Sequence, residues 1–423
     1  MGLLNKAQGD LAINGGQKAR TEPWPERGHL GNEEKAAVDA LFDQAIETGR
    51  MFGYNGEPEE DYCSQFAAFM GGGFADAVNS GTSAVYVALR ALEPAPFSEV
   101  IAGPITDPGG VMPIPLMNCI PVISDSAPGT YAPGAEQIEA CITPRTSAII
   151  VAHIFGEPAD MVSIMALARR HGIPVIEDCA QAHCARLHGN LLGTYGDIAA
   201  FSTMFGKHHN TGGQGGVVFT RDRELAWKSR RYSDRGKPFG LEGDRSNVAA
   251  SMNLNLNDLA AAIGSVQLKK LPGIVGRRRK FVEKVSSELS RLSTVCVPRQ
   301  APGAEPSYWF WRLEVREENL SVDKDTYCRA LEAEGVKFMA SYGHFPQSQE
   351  WYRNRMVFGR PGYPWTSPEY KGDPDRTFPC PNAHAAVERC INLTLHESWG
   401  DEEAADLVTA FTKLERAYAK AGR

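Results

Sequence analysis

The 423-residue chain lacks any run approaching the roughly eighteen apolar residues that a membrane span requires. Its opening, MGLLNKAQGDLAINGG, holds neither a signal-like apolar block nor a cleavage pattern, so a cytoplasmic protein is expected. Positive charge is scarce as well: 44 Lys and Arg face 51 Asp and Glu, a formal net charge of −7, without the basic stripe that a phosphate backbone needs. Neither nucleic acid nor a membrane is therefore expected as a partner. The nine cysteines, at 63, 119, 141, 179, 184, 296, 328, 380 and 390, are odd in number and form no CxxC pair, so they read as reduced packing residues. Cys179 and Cys184 stand near a candidate site but lack the tight knuckle and second ligand pair of a zinc centre, and no metal is expected. Repeats and low-complexity tracts are also absent.

What is present is 43% hydrophobic residues, enough to core one large or two medium domains. From about 75 to 220, β-branched runs (Ile120–Ser124, Ala148–Ala152, Ile173–Glu177) bracket helix-periodic segments at 135–142 and 161–171. That alternation predicts a largely parallel sheet covered on both faces by helices. Past about 272 the pattern changes. A long basic helix over Ile274–Leu292, a strand over Phe310–Arg316, a helix over Asp323–Gly335, a strand over Lys337–Tyr342 and a closing helix over Asp401–Tyr418 predict a second unit. The expected division is a large domain, residues 1–289 with an N-terminal arm 1–30, and a small C-terminal α+β domain, residues 290–423. The basic run Arg277–Lys280 reads as a solvated helix face.

Three stretches carry chemistry. In Asn79-Ser-Gly-Thr-Ser-Ala84, just before a helical Val85–Leu92, the glycine allows close backbone approach, Thr82 and Ser83 offer hydroxyls, and first-turn amides favour a dianion. The same residues also make an ordinary N-cap. In Val175-Ile-Glu-Asp-Cys-Ala-Gln-Ala182, Asp178 leaves the carboxyl end of a buried strand, where open α/β sheets bind ligands. It can hold a proton on a ring nitrogen, with Gln181 reaching another ring substituent, or it can cap the next helix. In Gly196–Phe219 a strand ends at Ser202, Lys207 follows, and a glycine cluster leads into another strand. Lysine forms a Schiff base with an aldehyde once desolvation lowers its pKa, although a loop lysine is otherwise a solvated charge.

Taken with Ile142–Gly156, Asn253–Leu268 and a weaker tail over Pro379–His396, these stretches resemble the DegT/StrS family of sugar aminotransferases, fold-type I enzymes dependent on pyridoxal phosphate. The resemblance implies an α/β fold of the aspartate-aminotransferase type, its large domain built on a mostly parallel central sheet covered by helices, with a smaller C-terminal α+β domain. It implies pyridoxal 5'-phosphate and its pyridoxamine form as cofactor. Lys207 would bond to the cofactor aldehyde, Asp178 would pair with the ring nitrogen, and Gln181 would lie beside the ring and its phenolic oxygen. Phosphate would be held by Gly81, Thr82, Ser83 and Ser202, and by Asn253 reaching over from a second subunit, which implies a homodimer with shared sites. The implied reaction moves an amino group from glutamate or glutamine to a keto sugar, sugar nucleotide or cyclitol in ping-pong half-reactions, in secondary-metabolite or surface-sugar biosynthesis.

Some positions depart from the family pattern. Where relatives stack an aromatic ring on the cofactor, this chain has Asp107, in Thr106-Asp-Pro-Gly-Gly110. Asp107 either faces the acceptor sugar, with Tyr54 or His183 covering part of the cofactor, or caps a helix starting near Val111. Relatives carry Arg two residues after the phosphate asparagine, where this chain has Asn255, and Arg231 or Arg235 is the candidate replacement. Gly is usual at Cys184 and an acid at Gln214. His183, His208, His209, Tyr54, His344 and the loop Tyr363–Lys371 are candidates for the substrate pocket, each equally suited to packing. Two readings compete with the aminotransferase. One is a deoxysugar dehydratase of the same family, in which histidine replaces the lysine and which the adjacent His208 keeps open. The other is a cofactor-binding regulatory protein without turnover.

Overall fold

The computed structural model describes residues 6–420; the first five residues of the expected N-terminal arm and the last three of the chain lie outside the described residues. The apolar runs between 74 and 220 form strands because helices cover both faces of the sheet they build. These are β1 (Phe74–Val78), β2 (Glu99–Ala102), β3 (Ile120–Ile123), β4 (Thr146–Ala152), β5 (Val175–Asp178), β6 (Ile198–Ser202) and β7 (Gly216–Thr220), in the order β1-β7-β6-β5-β4-β2-β3. Pairing is parallel from β3 across to β6, while β7 runs antiparallel to both β6 and β1. The fold is thus the expected α/β architecture with a mostly parallel central sheet.

The two-residue period of β4 separates two cores. Ile149 and Val151 face Tyr62, Phe66 and Leu268, whereas Ile150 and Ala152 face Val85 and Leu89. The covering helices are α1 (Asn32–Thr48), α2 (Glu57–Phe69), α3 (Gly81–Ala91), α4 (Met161–His171), α5 (Arg223–Ser233) and α6 (Asp258–Leu289). Helix α6 begins well before the expected Ile274, since Asn257 caps it by accepting the Ala260 N–H at 2.9 Å, and it runs through Pro272. Its C-terminal part, with Phe281, Val282, Val285 and Leu289, enters a third core together with Leu11, Trp311, Leu313, Leu407 and Phe411. That core lies under an antiparallel sheet of β8 (Val295–Cys296), β9 (Phe310–Val315), β10 (Phe338–Met339) and β11 (Cys390–Thr394), in the order β8-β9-β11-β10, with α7 (Lys324–Ala333) and α8 (Asp401–Tyr418).

Two expectations are corrected, and a loop left open between substrate contact and packing is placed. The strand over Lys337–Tyr342 shrinks to Phe338–Met339, because Tyr342 turns back against Phe155 with ring centroids 4.6 Å apart. The Arg277–Lys280 run is not uniformly solvated: Arg277 and Lys280 are exposed, but Arg278 is 1% exposed and paired with Glu397 at 2.7 Å. The aromatic loop Tyr363–Lys371 packs Trp365 and Tyr370 against Ile120, and Tyr370 donates its hydroxyl to Glu99. Ile120 and Glu99 start β3 and β2, at the end of the sheet opposite the strand carboxyl ends, so the loop serves packing there. Among the described residues, no helix is long and apolar enough to cross a membrane.

Candidate active site

The carboxyl ends of the parallel strands and the N-terminus of α3 open onto one cavity of about 220 Å³. Ser80, Gly81 and Thr82 come from the start of α3, Thr106, Asp107, Gly109 and Gly110 from the turn after β2, and Asp178 and Gln181 from the end of β5. Ser202 completes it from the end of β6, with Met204, Lys207 and Gln214 from the loop beyond. A larger cavity of about 340 Å³ lies elsewhere, between α2 and α5 at the start of β1, and none of the candidate site residues lines it.

Local sequence explains the wall. Helix α3 starts where it does because Ser80 accepts the Ser83 N–H at 3.0 Å. Gly81 is required because a Cβ there would lie 2.5 Å from Ser202 Cβ, so its absence lets the helix end meet the end of β6. At Gly110 a Cβ would lie 2.9 Å from Asp178 Oδ2 and 2.4 Å from Thr106 Oγ1, so bare backbone covers this side of the cavity. Asp107 shapes that turn: its Oδ1 accepts the Gly109 N–H at 3.0 Å while the residue stays exposed at the cavity rim. Gln181 Oε1 accepts the Phe155 N–H at 2.8 Å, which fixes its amide end toward Tyr342 Oη, 3.4 Å away. Phe155 holds a φ of 60°, a left-handed conformation unusual for an aromatic residue.

The charges are poised. Burial lowers the Lys207 amine to about 8, against the opposing pull of Asp178 and Asp107. Burial also raises Asp178 above the usual carboxylate range, against the Ala180 amide it accepts at 3.0 Å and the charge of Lys207. Both residues are more than nine-tenths buried, and among the described residues neither forms an ion pair. Two buried, unpaired opposite charges facing one cavity are costly unless a ligand completes them. A phosphorylated aldehyde bearing a ring nitrogen does so at every point: amine for aldehyde, carboxylate for ring nitrogen, helix start and hydroxyls for phosphate.

Seven of the expected residues thus share the cavity: Gly81, Thr82, Asp107, Asp178, Gln181, Ser202 and Lys207. The others stand outside its wall. Ser83 turns its hydroxyl back to Asn79 Oδ1 at 2.7 Å. His183 is buried behind Ser202, bonded to its carbonyl. Asn253 is exposed and accepts from Asn255 Nδ2 at 2.6 Å. Tyr54 is also exposed, its hydroxyl accepting from Arg235 at 2.6 Å, and Arg231 pairs with Glu224. His344 is exposed with its ring against Tyr342, and its carbonyl accepts the Thr106 N–H at 3.1 Å. His208 does not take the place of the lysine: it is fully buried, points to the Ser307 carbonyl at 3.0 Å, and burial pushes it well below its usual value.

Thr106, the Gly109–Gly110 cover, Tyr342 and Trp309 were not anticipated. Lys207 Nζ stands 3.6 Å from the Trp309 ring centroid. The Tyr308-Trp-Phe-Trp run was the only signal for Trp309, and nothing in it points to a lysine so distant in sequence. His153, Glu177 and Cys179 lie close enough to hold a metal, but the donor atoms of His153 and Glu177 are engaged. His153 Nδ1 accepts the Ala159 N–H, its Nε2 donates to Glu177 at 3.2 Å, and Glu177 also accepts the amides of Gly193, Tyr195 and Gly196.

Residues 32–412 match the DegT/DnrJ/EryC1/StrS aminotransferase family. Over 425 residues the chain is 31% identical to L-glutamine:2-deoxy-scyllo-inosose aminotransferase of Micromonospora echinospora, spanning 96% of this chain and 97% of that protein. It is 33% identical over 311 residues to dTDP-3-amino-3,4,6-trideoxy-alpha-D-glucose transaminase of Streptomyces venezuelae, spanning 73% and 79% of the two chains. Among solved structures it resembles S. venezuelae DesV in complex with a ketimine intermediate, with a TM-score of 0.74 and 28% identity over 92% of this chain and 98% of that one.

Proposed function

This chain belongs to the DegT/DnrJ/EryC1/StrS aminotransferase family and is a pyridoxal-phosphate-dependent aminotransferase, and from that premise we propose that it carries an amino group from glutamate or glutamine to a keto cyclitol or keto sugar. The observation that carries the site assignment is the convergence of buried Lys207 and Asp178, without ion-pair partners, on the cavity bounded by the start of α3.

When bound, pyridoxal phosphate supplies an aldehyde and an electron-withdrawing pyridine ring. Lys207 is the residue that bonds to it. An amine lowered to about 8 is in part unprotonated at neutral pH, which suits it to attack and, when free, to take a proton from the donor's α-carbon and deliver one to the neighbouring atom. Asp178 would hold the proton on the ring nitrogen, where an opposite charge would offset the cost of burying the carboxylate. The Gln181 amide, oriented by Phe155, would donate to the phenolic oxygen. Gly81, Thr82 and Ser202 hold the phosphate, with Ser83 contributing through the α3 first turn.

Asn253 would reach the phosphate of a second copy rather than its own. Its exposure supports this, as do the exposed apolar side chains of Ile46, Met51, Phe205 and Met252, which favour cover by a second copy in a homodimer. The proposed division falls at 289/290, a cytoplasmic location is part of the same reading, and Asp107, Tyr54 and His344 stand as candidate acceptor-side residues, whereas His183, enclosed behind Ser202, backs the wall instead. Of the two substrate classes, the keto cyclitol is favoured by the near-complete span of the match to the cyclitol enzyme. A panel of keto cyclitols and nucleotide-linked keto sugars, each with glutamine or glutamate and read by 2-oxo acid release, tests the proposal. Turnover of a cyclitol supports it, and turnover of neither class contradicts it.

A further inference from the structure

Lys207 Nζ rests over the face of Trp309, 3.6 Å from its ring centroid, and among the described residues it makes no hydrogen bond or ion pair. The same indole donates its Nε1–H to the Gly206 carbonyl at 3.1 Å, immediately before the lysine. Arg27 also holds this backbone, donating to the carbonyls of Gly206 at 2.9 Å and Lys207 at 3.0 Å. Arg278 does the same for the ring, donating to the carbonyls of Tyr308 at 2.7 Å and Trp309 at 3.2 Å. One carboxylate joins the two guanidinium groups: Glu397 Oε1 accepts from Arg27 at 3.1 Å, and Oε2 accepts from Arg278 Nε at 2.9 Å. A single buried cluster therefore sets both the backbone that carries the amine and the ring on which the amine lies.

Transamination alternately engages and frees this amine. A free ammonium on a four-carbon stem has several rotamers, and time spent in the wrong ones is lost to catalysis. An aromatic face attracts an ammonium without the strong localised bond that a carboxylate would form, so it holds the group and still lets it go. We propose that Trp309 is a positioning residue for Lys207, its indole face receiving the ammonium whenever the amine is free, with Arg27, Arg278 and Glu397 keeping ring and lysine in register. This rests on the reading of Lys207 as the residue that bonds to the cofactor.

The charged groups that face the amine are Asp178 from β5 and Asp107 from the turn after β2, which favour its protonated form, and His183 behind Ser202, whose protonation would oppose it. The ring face acts with the two carboxylates. Removing it while keeping the site apolar therefore lowers the amine's pKa further.

The test is the pH dependence of Lys207 reactivity in the full-length protein freed of cofactor, from the rate of reductive methylation at each pH followed on the Lys207 peptide by mass spectrometry. Trp309→Leu is expected to lower the midpoint by about half a pH unit to one and a half, and Trp309→Phe, which keeps a weaker face, by less. Arg278→Gln provides an opposing control. Loss of a nearby positive charge would by itself raise the midpoint, whereas loss of the ring's support lowers it. Midpoints of both Trp309 variants that match the unaltered protein, or that rise, overturn the proposal, as does a raised midpoint in a folded Arg278→Gln. Borohydride trapping on the unaltered protein is run alongside: an adduct missing from Lys207 refutes the reading of the lysine and leaves the titration result standing by itself.

Discussion

His183 donates its Nε2–H to the backbone carbonyl of Ser202 at 2.7 Å, from a ring that is fully enclosed behind the cavity wall. A carbonyl only accepts, so this nitrogen carries the proton and the neutral ring suffices. Burial lowers His183 to about 4 and its neighbour His209 to about 3. Unfolded histidine titrates near 6.5, so the unfolded chain takes up protons at pH values where these rings stay neutral in the fold. Their contribution to stability is complete above that pH and is lost as pH falls towards 4, at about 1.4 kcal/mol for each unit of depression. The expected outcome is a melting temperature that drops steeply over this window, and less steeply in His183→Asn, measured by differential scanning fluorimetry across pH. Equal slopes would mean that His183 is not a source of the acid sensitivity.

Asp178→Asn keeps the shape of the β5 terminus and removes its charge. Turnover is expected to fall by about 10²–10³, the scale of losing one preorganised electrostatic partner, with the circular dichroism spectrum unchanged. Activity within a few-fold of the unaltered protein would reduce Asp178 to a cap for the Ala180 amide.

Glu397 is 5% exposed and pairs with Arg27, Arg278 and His29. Burial alone would raise its pKa, but the His29 hydrogen bond and the two arginine charges hold it far below the carboxylate range. Glu397→Gln leaves buried Arg278 uncompensated and is expected to cost about 3–5 kcal/mol in urea unfolding. Asp401→Asn, which breaks an exposed pair with Lys284, should leave the midpoint nearly unchanged.

Two substitutions separate the roles of Asp107. Asp107→Asn retains an oxygen for the Gly109 amide, so the melting temperature should hold while the acceptor's KM rises if the carboxylate meets the sugar or cyclitol. Asp107→Ala removes the turn's acceptor as well and should cost about 1 kcal/mol. An unchanged KM in both variants assigns Asp107 to the turn alone.

Shared sites have a direct consequence for mixtures. Lys207→Ala and Asn253→Asp proteins, each inactive alone, should regain part of the activity when mixed under conditions of subunit exchange, because hybrid dimers contain one intact site. No recovery, with exchange demonstrated by native mass spectrometry, would place Asn253 outside the partner's site.

The sheet was legible because parallel strands buried on both faces are written as short continuous apolar runs, and Ile120–Ile123 and Val175–Asp178 needed no distant information. Asp178 and the α3 start were legible for a related reason: each sits at the end of a strand or the start of a helix, where local sequence fixes the backbone. Lys207, in the loop beyond β6, was legible through the family resemblance of its stretch, and its backbone is held by the distant Arg27 and Trp309. What escaped depended on contacts between distant segments. Arg278 looked like its solvated neighbours because burial on one helix face is set by Glu397, far along the chain. Trp309 and Tyr342 reach the site through the packing of the small antiparallel sheet, and the Tyr363–Lys371 loop is drawn to Ile120 by an apolar contact that no local pattern announces.

The identity of the cofactor-bonding residue is tested most directly by borohydride reduction of the full-length protein loaded with pyridoxal phosphate, followed by peptide mapping. The expected result is a single stable adduct on Lys207, absent from Lys207→Ala together with the visible absorbance that an amino donor bleaches. An adduct on another lysine, or one that persists in Lys207→Ala, would contradict the assignment.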